Sequence, residues 1–286
     1  MKPPGTEAPQ ARRATPPRRR RAADEIRLAS YNIHLGIGRD GQFSPERIAA
    51  VIGEMDADVV ALQEVSFGVP GFDMLHYLSS ACGMTAIAGP TLVTSAGEYG
   101  NAILTNLAVV EVRRWDLSVA RCEPRGAIDA RVSHNGQALR IIATHLGLRP
   151  AERRRQIRQL LEIIETDRRH PTVLAGDVNE WFLWGRPLRW MHRHFQHTPA
   201  PATFPAGRPL FALDRIWVEP RRAMQQVVAH ASTTARIASD HLPIVASIDF
   251  GAGKETLREA ASATGIKQTY SYESTQTGVP LRFSLR

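Results

Sequence analysis

The chain has 286 residues, 43% of them apolar and 22% charged, enough for one large domain or two small ones around a sizeable core. That excludes a wholly disordered or collagen-like protein, and with only Cys82 and Cys122 a disulfide-held scaffold as well, one disulfide being the most they can form. The formal net charge of +8 sits at the ends: residues 1–23 hold seven Lys/Arg against Glu7, residues 251–286 five against three, and residues 24–250 carry 24 charges of each sign, so the net charge gives no reason to assign nucleic-acid binding to the folded part.

Residues 1–23, rich in Pro and Arg, read as a disordered basic arm able to touch nucleic acid or an anionic membrane. The stretch that follows, AADEIRLASYNI, has three charges where the apolar core of an export signal would lie. No export by that route is expected, and the chain is expected to be cytoplasmic and monomeric. No run reaches the roughly 18 uncharged apolar residues that a transmembrane helix needs.

RLASYNI (27–33) and DVVALQE (58–64) read as buried strands. Between them, SPERIAAVIGEM predicts a helix with Ser44 as N-cap, Pro45 in its first turn and Ile48, Val51, Ile52 and Met55 on one face. A second helix over 72–82 is stopped by Gly83. NAILTN, AVVEVRRW, GAIDARV and LRIIATHL give four strands between 101 and 146. With no helix between them they must pair antiparallel.

A helix follows over 151–166, with Ile157, Leu160, Leu161 and Ile164 inward and Arg153, Arg154, Arg155 and Arg158 mostly outward as a solvated face. TVLAGDV (172–178) is a strand. Beyond it, Trp181, Trp184, Leu188, Met191 and Phe195 recur at 3-4-3-4 spacing. This predicts an amphipathic helix that buries its aromatics and leaves Arg186, Arg189, Arg193 and some of His192, His194 and His197 outside. That pattern accounts for HRHFQH more simply than a histidine metal cluster does. The segment should border any cleft formed at Asp177 and Asn179, carrying substrate selectivity or resting on a lipid surface. ALDRIWV (212–218), QQVVAHA (225–231) and PIVASIDF (243–250) complete the strands, and 251–286 reads as a loosely ordered polar tail.

Polar residues interrupt these apolar strands at their ends: Asn32, Glu64, His145, Asp177 with Asn179, Asp214, and Asp240 with His241. A single one is ordinarily a satisfied turn or cap. A whole set is harder to explain that way, because such groups are costly to bury unpaired and strand ends are where sheet enzymes gather catalytic groups. Glu64 with Asp240, and Asn32, offers hard oxygen ligands suited to Mg²⁺ or Mn²⁺. Asn32, Asn179 and His145 can donate to phosphoryl oxygens. Asp177 can orient or deprotonate a water, and Asp214 can fix the tautomer of His241. With no GxSxG elbow and no Cys–His motif, metal-assisted attack by water is favoured over covalent Ser or Cys catalysis.

YNIH, LQEV, ATHLG, GDVN, LDRIWV and SDHLPI, in this order over about residues 25–250, resemble the endonuclease/exonuclease/phosphatase superfamily, which includes pancreatic deoxyribonuclease. The resemblance implies an α+β, four-layer α/β/β/α sandwich of two mixed β-sheets flanked by helices. It also implies Mg²⁺-dependent cleavage of a phosphoester substrate, either nucleic acid or a phospholipid headgroup. By position, Asn32 and Glu64 match the family's metal-proximal amide and acid, and His145 a phosphate-contacting residue. Asp177 and Asn179 match the pair that aligns water and phosphate. Asp214 matches the acid supporting the last His, Asp240 and His241 the terminal Asp-His, and Arg125 a phosphate-contacting Arg. Some members carry an acid two residues after the Asn, where this chain has His34.

Two other readings compete. Gly36, Gly38 and Gly41 spell G-x-G-x-x-G after a strand, as in a dinucleotide-binding oxidoreductase, but the Ser44-Pro45 helix start falls beyond the glycines, where the fingerprint needs it within them. A degenerate module that binds phosphorylated ligands without cleaving them is the other.

Overall fold

A computed structural model of the protein describes residues 25–67, 72–94 and 97–250. The basic arm expected over 1–23 and the polar tail expected over 251–286 lie outside the described residues. Nearly continuous apolar runs require both faces of a strand to be covered, and two packed sheets with outer helices supply the cover. β1 (Glu25–Asn32), β2 (Val59–Phe67), β3 (Thr85–Thr94), β4 (Gly97–Thr105), β10 (Met224–Ala229) and β11 (Ile244–Asp249) form a six-stranded sheet in the order β10-β11-β1-β2-β4-β3. β5 (Ala108–Asp116), β6 (Gly126–His134), β7 (Gln137–His145), β8 (Thr172–Asp177) and β9 (Asp214–Glu219) form a second sheet in sequence order. Both are mixed. β5–β6 and β6–β7 are antiparallel as expected, but β4 and β5 do not pair, because the chain crosses from the first sheet to the second between them; β1–β2 and β7–β8 are parallel.

Side-chain alternation along the strands divides the core into three layers. Leu28, Ala61 and Ile103 meet Ile128, Ile141 and Val173 between the sheets. Tyr31, Val60 and Leu62 face the other way, onto α1 (Pro45–Met55) and α2 (Met74–Cys82). Ile142, Leu174 and Trp217 pack on α3 (Pro150–Glu165) and α4 (Arg186–Phe195). Each large apolar side chain buried in this way contributes about 1.5–3 kcal/mol. The result is the expected α/β/β/α sandwich.

The helix starts follow local chemistry. Ser44 occupies the N-cap of α1, although its hydroxyl donates to Glu46 (3.0 Å) instead of accepting from the helix backbone. Asp73 caps α2 by accepting the His76 N–H, and Gly83 ends it in the left-handed region. The glycines of G-x-G-x-x-G form a small closed loop, with Gly38 N–H donating to Gln42 O and Ser44 N–H to Gly36 O, and the helix opens only at Pro45.

Several expectations are corrected. β3 was not foreseen, since Gly89 and Pro90 argue against a strand. Here β3 lies at the sheet edge and Pro90 borders a register shift, where its missing N–H is tolerated. A Cβ on Gly89 would stand 2.4 Å from Ile128, so glycine lets the two sheets close together. The helix expected to bury Trp181 and Trp184 begins only at Arg186, and both tryptophans are exposed. Pro187 fits only the first helical turn, and Glu180 folds the preceding loop by accepting the Phe182 N–H. Arg153 is buried, not solvated. Cys82 and Cys122 are both free, so the one possible disulfide does not form. Among the described residues no helix is long and apolar enough to cross a membrane.

Candidate active site

Parallel pairing delivers C-terminal strand ends to one rim. β1 and β2 pair Asn32 with Gln63, one residue before Glu64, and β7 and β8 pair His145 with Asp177. β9 runs antiparallel to β8, so its first residue, Asp214, lies opposite Asp177. β11 is antiparallel to β1, which returns the Ser239-Asp240-His241 turn to the end of β1, where Ser239 Oγ donates to Asn32 O at 2.8 Å.

Two local departures from regular strand shape the rim. The β2–β4 register slips between Leu62 and Val65, and within the slip Glu64 has φ +58°. A bulge of this kind re-aims a side chain, here toward Asn32. At Gly176, a Cβ would fall 1.9 Å from Thr144 O, so only glycine permits this approach of β8 to β7 beside Asp177.

The side chains converge on Asp177. Its Oδ2 accepts from Asn32 Nδ2 at 3.1 Å and lies 3.5 Å from His145 Nε2 and 3.7 Å from His241 Nε2. Its Oδ1 accepts from the Asn179 backbone N–H at 2.9 Å. Asn32 Nδ2 also donates to Glu64 Oε1 at 3.0 Å. The Asn179 amide nitrogen donates to Leu146 O at 2.9 Å and lies 3.0 Å from His145 Nε2, while Arg125 Nη1 lies 3.4 Å from His145 Nδ1. His241 Nδ1 donates to Asp214 Oδ2 at 2.9 Å, an oxygen that also accepts from Thr203 Oγ1. Asp240 stands at the more open side, 4.0 Å from His34 Nδ1. All nine residues singled out in the sequence are therefore in one neighbourhood: Asn32, Glu64, Arg125, His145, Asp177, Asn179, Asp214, Asp240 and His241.

Burial and charge set the protonation states. Burial drives the His145 imidazole down to about 3, with Arg125 and His241 adding to the effect and Asp177 opposing it, so His145 is neutral. Burial also penalises a charged His241, but Asp214, Asp177 and Asp240 outweigh it and raise the group to about 10. The Glu64 carboxyl is pushed up by burial and by Asp240 and Asp177, with Asn32 opposing. Stability from a charged His241 is complete below about 6.5 and is lost as pH rises through about 10. Asp214→Asn is expected to lower the His241 pKa markedly, read by NMR titration of the imidazole in metal-free protein. An unmoved midpoint would show that Asp214 is not what holds the charge.

The sequence did not point to several supporting residues. Thr203 holds Asp214, the Phe204 ring lies 4.9 Å from the His241 ring, and Tyr99 of β4, its phenol pushed up by burial, bonds to Arg125 near Glu64. Thr203 and Phe204 sit in an irregular segment with no periodicity to read, and Tyr99 precedes the run recognised as a strand. Among the described residues, Asp177, Asp214 and His241 also form a group with ligand atoms within 4.8 Å of one another. His192, His194 and His197 form no such group; His194 instead lies between Glu165 and Glu219.

A four-layer sandwich with these polar groups at one rim of its sheets defines a protein of the deoxyribonuclease I-like class. A sequence model of the Endonuclease/Exonuclease/phosphatase family matches residues 29–241, and the chain belongs to that family. It is 30% identical over 244 residues to the uncharacterized protein YbhP of Escherichia coli K12, covering 78% of this chain and 96% of that one. The crystal structure of an endonuclease/exonuclease/phosphatase from Beutenbergia cavernae superposes with a TM-score of 0.64 at 24% identity, over 79% of this chain and 71% of that one. A mannosyl-6-phosphatase of Bacteroides thetaiotaomicron superposes with a TM-score of 0.62 at 17% identity, over 79% and 100%. At these identities the two structures speak for the fold alone. Members of the family are generally phosphoester hydrolases.

Proposed function

We propose that the protein is a divalent-cation-dependent phosphodiester hydrolase, a nuclease or lipid phosphodiesterase, that uses a water activated at Asp177. The observation that carries this reading is the convergence of Asn32, His145, Asn179 and His241 on one buried carboxylate. Four donors or rings around Asp177 fix its orientation, which is what a group that aligns an attacking water requires.

The donor set fits a hard cation. Glu64 and Asp240 are the more accessible carboxylates, Asn32 adds an amide oxygen, and the burial that chiefly raises Glu64, together with its crowding by Asp240 and Asp177, is what a divalent ion would offset. The Asp177/Asp214/His241 group is less suited, because His241 Nδ1–H is already committed to Asp214 as an ion pair. A Mg²⁺ or Mn²⁺ ion at Glu64, Asp240 and Asn32 would neutralise charge on a phosphoryl oxygen and on the leaving group.

The chain's own groups account for the rest. Asp177 takes a proton from the attacking water. Asn179 and Arg125 donate to the phosphoryl oxygens, and neutral His145, held between them, fixes their placement. The His241 imidazolium, kept charged by Asp214, faces the same oxygens and stabilises the charge that grows there.

The test is hydrolysis of plasmid DNA, abasic DNA, RNA, cardiolipin vesicles and soluble phosphomonoesters and phosphodiesters with Mg²⁺ or Mn²⁺. We expect turnover that EDTA stops and added metal restores, and at least a hundredfold loss in Glu64→Ala at limiting metal. Turnover indifferent to both chelation and Glu64→Ala, or none on any substrate, would overturn the reading.

A further inference from the structure

Three loops leave the rim of the site, over 146–149 after His145, over 180–185 after Asn179 and over 204–211 before Asp214. The middle one carries four consecutive exposed apolar side chains: Trp181 (40% exposed), Phe182 (65%), Leu183 (58%) and Trp184 (79%). Leu148 (64%) and Leu210 (66%) extend the set onto the other two loops. Such a run is expensive to leave in water, and contiguous exposed apolar surface marks an interaction site.

The loops are built, not loose. Trp181 packs edge-on against Phe204 and Phe211, with centroids 5.6 and 4.9 Å away, and Phe204 in turn meets His241. Arg153 bonds Leu148 O at 2.6 Å and Glu180 Oε2 at 3.4 Å, which ties the first loop to the second. An occupant of the apolar surface therefore sits at a fixed position beside the catalytic groups.

Charge identifies the occupant. Over 146–151, 180–189 and 204–213 the single acid is Glu180, which is buried and paired with Arg153. The exposed charges are Arg149, Arg186, Arg189 and Arg208, all positive. Tryptophan and phenylalanine with aliphatic neighbours and flanking arginines are the composition that enters the headgroup region of an anionic bilayer. Nucleic-acid bases would stack on the aromatics but find no partner in Leu148, Leu183 and Leu210.

We propose that these loops dock the protein on an anionic phospholipid bilayer and present a lipid headgroup phosphodiester to the site. The substrate half of this proposal rests on the phosphoesterase reading above; the docking half does not.

The experiment uses the full chain and the variant Phe182→Ser/Leu183→Ser/Trp184→Ser, whose positions are exposed. Both are floated with vesicles of phosphatidylglycerol and phosphatidylcholine in equal parts and of phosphatidylcholine alone, and tryptophan quenching by acyl-brominated lipid is recorded. Wild type should float with the anionic vesicles, be quenched, and hydrolyse their lipid. The variant should lose at least tenfold in vesicle affinity and in lipid hydrolysis, while its turnover of soluble bis(p-nitrophenyl) phosphate stays within twofold. The proposal is overturned if wild type does not bind vesicles, or if the variant binds them equally. It also fails if the substitutions weaken only single-stranded DNA binding, or only disperse a wild-type dimer. Vesicle docking without lipid hydrolysis would support the docking surface and overturn its substrate half, whereas no turnover of any phosphoester in the panel above would sink the phosphoesterase reading itself.

Discussion

Asp177→Ala should lower kcat by about 10³-fold, within the range that a positioned general base contributes, while KM moves little. Asp177 is almost fully buried and its proposed partner is the attacking water, not the bound ester, so its loss falls on the chemical step. Its removal also strips one of three carboxylates from around His241 and leaves Asn32 Nδ2 with Glu64 alone. Asp177→Asn separates these effects. It preserves the acceptor for the Asn179 N–H but sets an amide where a proton acceptor is needed, so it should be nearly as inactive while keeping more of the stability. Single-turnover kinetics with saturating Mg²⁺ and urea melts of both variants provide the readout. Turnover within tenfold of wild type in both would remove Asp177 from the role of base.

Strand-end polar residues were legible because the physics behind them is one-sided. A carboxylate, amide or imidazole that ends an apolar run must be paired or exposed, and parallel pairing of β1 with β2 and of β7 with β8 sends several to one rim. Short apolar runs made most of the strands themselves readable, and α1 carried its own start signal in Ser44 and Pro45. What escaped was set by contacts distant in the chain. Gly89 and Pro90 argue locally against β3, and only the second sheet's Ile128 explains the glycine. The 3-4-3-4 spacing of Trp181 and Trp184 with Leu188 was a coincidence of two different structures, a loop folded round Glu180 and a helix that Pro187 confines to later residues. The bulge that aims Glu64 is a mismatch between β2 and β4, invisible in either strand alone.

Arg153 illustrates the same limit and carries the largest expected effect on stability. Within RRR at 153–155 residue type does not distinguish it from its neighbours, and only its phase relative to Ile157 and Leu160 does; it is fully buried, with its guanidinium between Glu180 and the carbonyls of Gly147 and Leu148. Helix phase is the cause: position 153 shares a face with Gln156 and Ile157, both buried, whereas Arg155 is exposed. Arg153→Ala leaves the Glu180 carboxylate buried without its counter-charge, which costs about 3–5 kcal/mol. For a domain of this size that lowers Tm by about 10 °C. The loops bearing Leu148 and Trp181 lose their common tie, so vesicle docking should weaken together with stability. Arg153→Met/Glu180→Leu removes both charges and should recover most of the lost Tm, because an apolar pair of similar volume carries no desolvation cost. Calorimetry of the wild type, Arg153→Met, Glu180→Leu and the double variant completes the cycle. An Arg153→Ala melt within 2 °C of wild type would mean that water already solvates Glu180 and that the pair does not hold the two loops together.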